Sequence, residues 1–183
     1  MNTERIKVWD LPVRLFHWSL VASFVVAVAT SESERWRDVH VTAGYTIAGL
    51  VAFRLLWGLV GSRHARFADF IPSPSRLKGY LASLLQGRPA HYVGHNPAGA
   101  VAILALLACA ALAALSGWMT YEEIGGGRIA HAMEEVHEFF GNAMLALVGI
   151  HLAGVAVSSL LHRENLVRAM ITGWKQRHES TAG

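Results

Sequence analysis

Residues 136–161 read VHEFFGNAMLALVGIHLAGVAVSSLL, an apolar run of helical length that contains two histidines, His137 and His151. An ionisable side chain inside a membrane span is costly, so it is a functional-site candidate by default. The two histidines are 14 residues apart. That interval leaves them about 40° apart around a helix and about 21 Å apart along it. One helix would therefore present two imidazoles on one face, one near each side of a bilayer, an arrangement that suits two stacked haems held between helices.

The composition of the 183-residue chain is that of an integral membrane protein. Hydrophobic residues make up 53% and charged residues 16%, and the mean hydropathy is +0.34; in soluble domains about a quarter of the residues are charged. The single cysteine, Cys109, lies in an apolar run, and there is no Cys-x-x-Cys-His motif. These two facts exclude an internal disulfide, covalent c-type haem attachment, and Cys-rich iron–sulfur or zinc sites.

Four segments can cross a bilayer, which takes about 20 predominantly apolar residues per helix. The predicted spans are residues 14–30, 39–60, 97–119 and 136–161. The N-terminal stretch mixes acidic with basic residues and leads into the first span without a small-residue cleavage site, so we predict a retained span and not a signal peptide. The predicted fold class is all-α: an integral membrane four-helix bundle that forms one domain over residues 1–178, followed by a polar tail at 179–183.

Basic residues are concentrated in alternate connections. The N-terminal tail, the loop at 61–96 and the C-terminal tail together hold twelve: Arg5, Lys7, Arg14, Arg63, Arg66, Arg76, Lys78, Arg88, Arg163, Arg168, Lys175 and Arg177. The other two connections hold only three, Arg35, Arg37 and Arg128. Those two connections also hold seven acidic residues: Glu32, Glu34, Asp38, Glu122, Glu123, Glu134 and Glu135. The positive-inside rule therefore predicts that both termini and the 61–96 loop are cytoplasmic.

Within the cytoplasmic loop, the segment SPSRLKGYLASLL at 73–85 predicts a short amphipathic helix. Arg76 and Lys78 fall on its polar side, and the apolar side carries leucines: Leu77, Leu81, Leu84 and Leu85. Two placements are open for this helix. It lies on the membrane surface, or it packs against the bundle as an ordinary loop helix.

The predicted orientation sorts four histidines into two levels. His40 and His137 lie near the outer ends of the second and fourth spans and form an outer pair. His17, near the cytoplasmic end of the first span, and His151, more than half-way down the fourth, form an inner pair. A bis-histidine b-type haem needs one imidazole on each face, from different helices, and both pairs meet that condition. Taken alone, His17 or His40 is as well explained as a boundary or core residue; the joint pattern is what indicates ligands.

A glycine follows each outer histidine by four residues. Gly44 follows His40, and Gly141 follows His137. Residues four apart lie on the same helix face. These glycines would therefore leave space for a porphyrin to lie against the backbone.

Two arginines are candidates to bind haem propionates at the inner level. Arg54 comes 14 residues after His40, the interval that also separates the two histidines of the fourth span, and Arg14 lies one turn before His17. An arginine within the membrane needs an anionic partner. No Glu or Asp lies deep in any span, which argues against a carboxylate-based proton or cation pathway.

The remaining histidines and the tryptophans have simpler interpretations. Six histidines lie in loops or tails and are interpreted as solvated or interfacial: His64, His91, His95, His131, His162 and His178. Of these, His91, His95 and His131 are the candidates to line a substrate or partner site. The tryptophans mostly fall at predicted interfaces, as in an aromatic belt: Trp9, Trp18, Trp36, Trp57, Trp118 and Trp174.

Several motifs resemble the bacterial cytochrome b561 family, which includes the b-type cytochrome subunits of membrane-bound nickel–iron hydrogenases. The motifs are VWDLPVRLFHW at 8–18, H-x3-G at 40–44 with FRLLWGLVGSRHARF at 53–67, LSGW at 115–118, H-x3-GN-x8-H at 137–151, and HRENLVRAMITGWK at 162–175. The resemblance therefore extends from Val8 to Lys175, nearly the whole chain.

The resemblance implies a four-helix b-type cytochrome with two haems in a bacterial inner (cytoplasmic) membrane. In the family, the first-span histidine and the deeper fourth-span histidine hold one haem, which maps onto His17 and His151. The second-span histidine and the outer fourth-span histidine hold the other, which maps onto His40 and His137. Hydrogenase-type members carry an additional helix or a longer extension. The length of this chain favours the smaller members, which exchange electrons with quinone and a soluble periplasmic redox protein.

The leading hypothesis is transmembrane electron transfer through two haem b groups, between the quinone pool and a periplasmic partner. The partner would be a c-type cytochrome, a dehydrogenase or a hydrogenase, and the acidic outer rim would steer a basic one. The alternative is a superoxide:ubiquinone oxidoreductase that acts on its own, with Arg35, Arg37 and Arg128 as the only outer cations to attract the anion. A third hypothesis is a membrane anchor or small transporter without haem.

The lipid bilayer surrounds the spans, quinone is the expected electron-exchange partner, and no nucleic-acid interaction is predicted. A homodimer through the third span is one open arrangement, because alanine and glycine there permit close helix approach. Under the leading hypothesis the protein is an electron-transfer cytochrome of the oxidoreductase class, and this is preferred over an enzyme that catalyses a reaction on its own.

Overall fold

A computed structural model describes residues 4–87, 92 and 94–177. The predicted polar tail at 179–183, and with it His91 and His178, lies outside the described residues. The described part contains seven α-helices, one 3-10 turn and one two-stranded sheet. In chain order these are β1 Glu4–Lys7, α1 Leu11–Thr30, the 3-10 turn Glu34–Trp36, α2 Arg37–Val60, α3 Phe67–Phe70, α4 Pro74–Leu85, α5 Pro97–Tyr121, α6 Gly127–Leu161, α7 Leu166–Thr172 and β2 Trp174–Arg177.

Four of these helices are long and apolar enough to cross a membrane: α1, α2 together with its 3-10 turn, α5 and α6. The all-α fold class is therefore confirmed, and a helix of membrane-spanning length covers each of the four predicted spans. Helix α6 begins at Gly127, nine residues before the predicted start of its span. With 35 residues it is about 52 Å long, well beyond a hydrocarbon core of about 30 Å. Its first turns contain Arg128, His131, Glu134 and Glu135, which lower the hydropathy, but they also contain alanine, methionine and glutamate, which favour helix.

The chain divides into two compact units. The first unit comprises Met1–Arg14, Trp57–Ala102 and Ile150–Gly183; the second comprises Leu15–Leu56 and Ile103–Gly149. Each long helix contributes residues to both. The first unit carries twelve basic and five acidic residues, and the second carries four basic and eight acidic residues. The uneven distribution of charge along the sequence is therefore also a difference between the two units.

In the first unit, the two ends of the described chain form an antiparallel sheet. Strand β1 pairs with β2 in a register that runs from Glu4 opposite Arg177 to Lys7 opposite Trp174. Next to the sheet, the backbone N–H groups of Val8 and Trp9 donate to the Gly173 carbonyl at 2.9 and 3.1 Å. The N- and C-terminal segments of the described chain therefore lie together.

A small core supports this terminal pairing. Trp9 is only 7% exposed and packs with Val8, Ala169 and Met170. The interpretation of Trp9 as part of an aromatic belt is wrong, because its ring is buried within the protein. Gly173 has a φ of 87°, and a Cβ there would lie 2.6 Å from the Trp9 carbonyl oxygen, so only glycine fits this turn.

The Asp10 carboxylate joins the start of α1 to the end of α2. One oxygen accepts from the Val13 backbone N–H at 2.8 Å, which caps the first turn of α1. The other accepts from Trp57 Nε1 at 3.0 Å and from the Ser62 hydroxyl at 2.6 Å. The DLPVR and RLLWGLVGS segments of the sequence therefore meet at a single side chain.

The predicted amphipathic helix in the loop is confirmed as α4. Ser73 caps it by accepting from the Arg76 backbone N–H at 3.3 Å. Tyr80 is buried and meets Tyr92 edge-on, with ring centres 5.7 Å apart, and this burial raises the pKa of the Tyr80 phenol. Leu81 and Leu85 remain exposed at 45% and 91%, so only part of the apolar side packs against protein.

Candidate haem-binding site

Both histidines of the predicted outer pair lie in the second unit, and each donates to a backbone carbonyl of a neighbouring helix. His40 on α2 places Nδ1 2.9 Å from the Ala27 carbonyl oxygen of α1. His137 on α6 places Nδ1 2.8 Å from the Ala113 carbonyl oxygen of α5. A carbonyl oxygen only accepts, so the proton of each neutral ring lies on Nδ1, and Nε2 keeps its lone pair.

The separation of the two rings is compatible with a shared metal. Their centres lie 6.0 Å apart with the planes at 89°. A metal–imidazole nitrogen bond is about 2 Å long, and the ring centre lies about 1 Å further on, so two opposed imidazoles on one metal are about 6 Å apart. The His40 and His137 rings therefore fit a bis-histidine site, and the Nδ1–carbonyl bonds fix their orientation.

The space beside this pair is consistent with the predicted role of the two glycines. A Cβ built on Gly44 or on Gly141 would meet no atom within 4 Å. Each glycine lies one turn from a histidine, on the same face of its helix. The helix faces that carry His40 and His137 are therefore open next to the rings, where a porphyrin would need room.

The histidines of the predicted inner pair lie in different units. His17 belongs to the second unit, where it is half-buried and meets Trp18 edge-on with ring centres 5.1 Å apart. His151 belongs to the first unit and is also half-buried. Both lie on membrane-length helices, as predicted, and their pairing stays a prediction.

The two arginine candidates are both set into the protein. Arg54 on α2 is only 3% exposed, a degree of burial that a guanidinium within a span tolerates only with compensating polar groups. Arg14 on α1 donates through Nη2 to the Ile171 carbonyl. The Arg14 Nε is buried and has no hydrogen-bond partner among the described residues, so it has a donor available for an anionic group.

Two of the other histidines differ from their sequence interpretation. His95 is half-buried: its ring lies against those of Trp9 and Phe70, with ring centres 4.6 Å from each. His131 lies within α6 and not in a loop, and its exposed ring is 3.4 Å from a Glu134 carboxylate oxygen. Within the described residues, no three metal-binding side chains converge on one point, so neither histidine belongs to a separate metal cluster.

The sequence reasoning missed the residue that lets His137 approach its carbonyl partner. A Cβ at Gly117 on α5 would lie 2.9 Å from Nδ1 and from Cε1 of the His137 ring, a separation that real side chains do not adopt. The signal in the sequence is the glycine of the LSGW motif at 115–118.

Comparison with known proteins identifies the group to which this chain belongs. The profile of the prokaryotic cytochrome b561 family matches residues 8–173. The chain is a member of that family. It is therefore a b-type membrane cytochrome that transfers electrons across a bacterial membrane and uses haem b. The hypothesis of an anchor or transporter without haem is wrong.

Individual relatives of this cytochrome agree with the family match. A protein of Azotobacter chroococcum, described as a probable Ni/Fe-hydrogenase B-type cytochrome subunit, is 26% identical over 93% of this chain and 88% of its own length. Two proteins with corresponding descriptions, from Cupriavidus necator and Escherichia coli, are 24% and 23% identical to this chain, which covers 86% and 89% of their lengths. No solved structure matches the chain.

Proposed function

We propose that this cytochrome relays electrons between the membrane quinone pool and a redox protein at the outer face of the membrane, through two bis-histidine haem b groups. His40 and His137 would hold the outer group, and His17 and His151 the inner one. Haem b supplies a one-electron iron couple whose potential depends on its ligands, burial and hydrogen bonds. The observation that carries the proposal is the 6.0 Å separation of the His40 and His137 rings.

The outer ligand pair is supported by its second layer of contacts. Each Nδ1 donates to a carbonyl on a helix that supplies no ligand at that level, so neither ring can rotate freely. A ring held in this way keeps Nε2 directed and deprotonated, which a metal ligand requires. Gly44 and Gly141 leave the adjacent helix faces open.

The inner pair is supported by position and by charge. His151 follows His137 by 14 residues on the continuous helix α6, which keeps the two imidazoles on nearly the same face. Arg14 lies within one turn of His17 and has a buried donor available for an anionic group. We propose Arg14 and Arg54 as the residues that would bind propionates at this level.

The orientation with both termini in the cytoplasm is supported by the charges of the units. The first unit, which holds both terminal segments, has more than twice as many basic as acidic residues, whereas the second has twice as many acidic as basic residues. This is the imbalance that the positive-inside rule describes. We further propose that residues 1–178 form one domain, because all four long helices run through both units.

The proposed partner is a periplasmic redox protein with a basic docking surface. The acidic residues of the second unit would steer such a partner towards the outer pair and make its association sensitive to salt. A nickel–iron hydrogenase is a specific candidate, because the relatives are described as probable subunits of such enzymes. This chain covers 86% to 89% of the length of those relatives. Because the difference in length is small, it does not exclude a hydrogenase as the partner.

The superoxide:ubiquinone oxidoreductase alternative requires a cationic outer surface. Arg35 and Arg37 lie over the rings of Trp36 and Tyr121, at 5.4 and 5.9 Å from the ring centres. Both arginines are exposed, but they share their unit with eight acidic residues. The net field there disfavours approach of an anion, so we retain electron exchange with a protein partner as the proposed function.

Electron exchange in proteoliposomes that contain a quinol tests this proposal. We expect the quinol to reduce the haems and a basic c-type cytochrome added outside to reoxidise them, faster at low salt than at high salt. Glu34→Lys and Glu123→Lys should slow the reaction with the basic cytochrome, while Asp69→Lys in the first unit serves as a matched control. An acidic c-type cytochrome is the control partner.

Three further outcomes are decisive. In membranes that contain a nickel–iron hydrogenase, H2-dependent haem reduction that is lost in His40→Ala would identify that enzyme as the partner. Rapid reduction by enzymatically generated superoxide, lost in Arg37→Glu, would instead favour the alternative. Failure of quinol to reduce the haems would contradict the proposal.

Orientation is tested by labelling single cysteines in a Cys109→Ala background. Ser31→Cys should react with a membrane-impermeant maleimide from the periplasm, and Ser75→Cys only after the membrane is permeabilised. The reverse pattern would contradict the proposed topology.

A further inference from the structure

We infer that two hydroxyl groups, those of Ser116 and Thr30, tune the outer haem by sharing the carbonyl oxygens that hold His137 and His40, and that Gly117 positions the His137 ring against its carbonyl. This inference rests on the proposed assignment of His40 and His137 as ligands. It gives a role to α5, which carries no ligand, and to the LSGW motif.

On α5, the Ala113 carbonyl oxygen has two side-chain donors. His137 Nδ1 lies 2.8 Å from it, and the Ser116 hydroxyl lies 3.1 Å from it. The same hydroxyl lies 2.7 Å from the Leu112 carbonyl oxygen, so its proton is divided between two acceptors. Ser116 is only 3% exposed, so its hydroxyl makes these contacts inside the protein.

On α1, the same arrangement holds the other ring. The Ala27 carbonyl oxygen is 2.9 Å from His40 Nδ1 and 3.3 Å from the Thr30 hydroxyl. The Thr30 hydroxyl is also 2.7 Å from the Val26 carbonyl oxygen. In both helices, therefore, a hydroxyl three residues after an alanine competes with an imidazole N–H for the alanine carbonyl.

This competition affects the metal through the imidazole. An imidazole that donates strongly from Nδ1 gives more electron density through Nε2, which stabilises ferric over ferrous iron. A second donor to the same carbonyl oxygen weakens the imidazole's hydrogen bond. The Ser116 and Thr30 hydroxyls should thus keep the midpoint potential of the outer haem higher than two unshared carbonyls would.

Gly117 is a positioning residue in this arrangement. A side chain there would lie 2.9 Å from two atoms of the His137 ring. The ring cannot retreat without losing its 2.8 Å bond to the Ala113 carbonyl oxygen. An alanine at 117 should therefore turn or displace the ring while leaving α5 helical, since alanine favours helix more than glycine does.

A potentiometric titration of the purified holoprotein tests the inference, with optical and electron paramagnetic resonance (EPR) detection. We expect Ser116→Ala and Thr30→Val each to retain two haems and to lower one of the two midpoint potentials. The double variant should lower the same potential further. Gly117→Ala should alter the EPR signal of that haem or lose the haem.

Thr46→Val is the matched control. The Thr46 hydroxyl donates to the Thr42 carbonyl oxygen at 2.8 Å on α2, and no imidazole bond to that carbonyl is seen among the described residues. Thr46→Val should therefore leave both potentials unchanged. The inference is overturned if Ser116→Ala and Thr30→Val shift neither potential, or if Thr46→Val shifts one equally. A separate variant distinguishes failure of this inference from failure of the ligand assignment: if His137 is not a ligand, His137→Ala will retain both haems.

Discussion

The imidazoles of His40 and His137 lie 6.0 Å apart from ring centre to ring centre, with their planes at 89°. Each ring is anchored by its Nδ1 to a different neighbouring helix, His40 to Ala27 and His137 to Ala113. Four helices therefore determine the geometry of one pair of rings, although only two of them supply a histidine. The orientation of the planes follows from which carbonyl each ring contacts.

The perpendicular ring planes predict a specific spectroscopic signature. Perpendicular axial imidazoles leave the iron d orbitals that share the unpaired electron nearly degenerate, so the ferric outer haem should give a strongly anisotropic low-spin signal. We expect EPR at low temperature to detect that signal in the wild type and to find it absent in His40→Ala. Well-resolved rhombic signals from both haems would mean that the two planes are nearly parallel.

Substitution of Gly44 should block the space beside the outer pair. Gly44→Leu adds a side chain on the His40 face, where a Cβ now meets nothing within 4 Å. We expect the purified variant to contain one haem per chain, as determined by the pyridine haemochrome assay.

Gly49 on the same helix is the matched control for this variant. Its Cβ position is equally open, but it lies about half a turn around the helix from His40. Gly49→Leu should retain two haems. Equal haem content in Gly44→Leu and Gly49→Leu would refute the role assigned to the glycine.

Removal of the Asp10 carboxylate should destabilise the first unit. Asp10→Ala loses the α1 cap and the bonds from Trp57 and Ser62, with an expected cost of about 2 to 3 kcal/mol. Thermal unfolding in detergent measures this loss. As a control, Asp69→Ala removes the exposed ion pair with Arg66 and should cost less than about 1 kcal/mol. Equal losses of stability in the two variants would contradict the stabilising role assigned to Asp10.

The buried ion pair near the C-terminal strand should also be essential for stability. Lys175 Nζ lies 3.3 Å from Glu164 Oε2, and both side chains are 8% exposed. Lys175→Met leaves the carboxylate buried without its partner, at a cost of about 3 kcal/mol. We expect faster proteolysis of the C-terminal segment and a lower unfolding temperature, with the exposed Lys78→Met unchanged. An unchanged unfolding temperature in Lys175→Met would mean that the pair contributes nothing.

The spans were predictable from the sequence because hydropathy and length determine them directly. The start of α6 at Gly127 was not, because its first turns carry charged side chains that lower the hydropathy, and the helix there also packs through the buried Ala130. The β1–β2 sheet was also missed. Its strands have four residues each and lie at opposite ends of the chain, and nothing local in either segment indicates its partner.

The proximity of His40 and His137 was predictable from the sequence, whereas the pairing of His17 with His151 stays a prediction. Their helical spacing and the alternation of loop charge were sufficient to group His40 with His137, and the structure brings those two rings together. The contacts to Ala27, Ala113 and Gly117 were not predictable, because backbone carbonyls leave no mark in the side-chain pattern. The burial of Trp9 likewise depends on the terminal segments meeting.

The most direct test of the central claim is the haem content of the purified protein in detergent, for the wild type, His137→Ala and His151→Ala. The account predicts two b haems per chain in the wild type and one in each variant, with the EPR signal of the outer haem lost only in His137→Ala. One haem or none in the wild type, or two in either variant, would contradict the assignment of two bis-histidine sites.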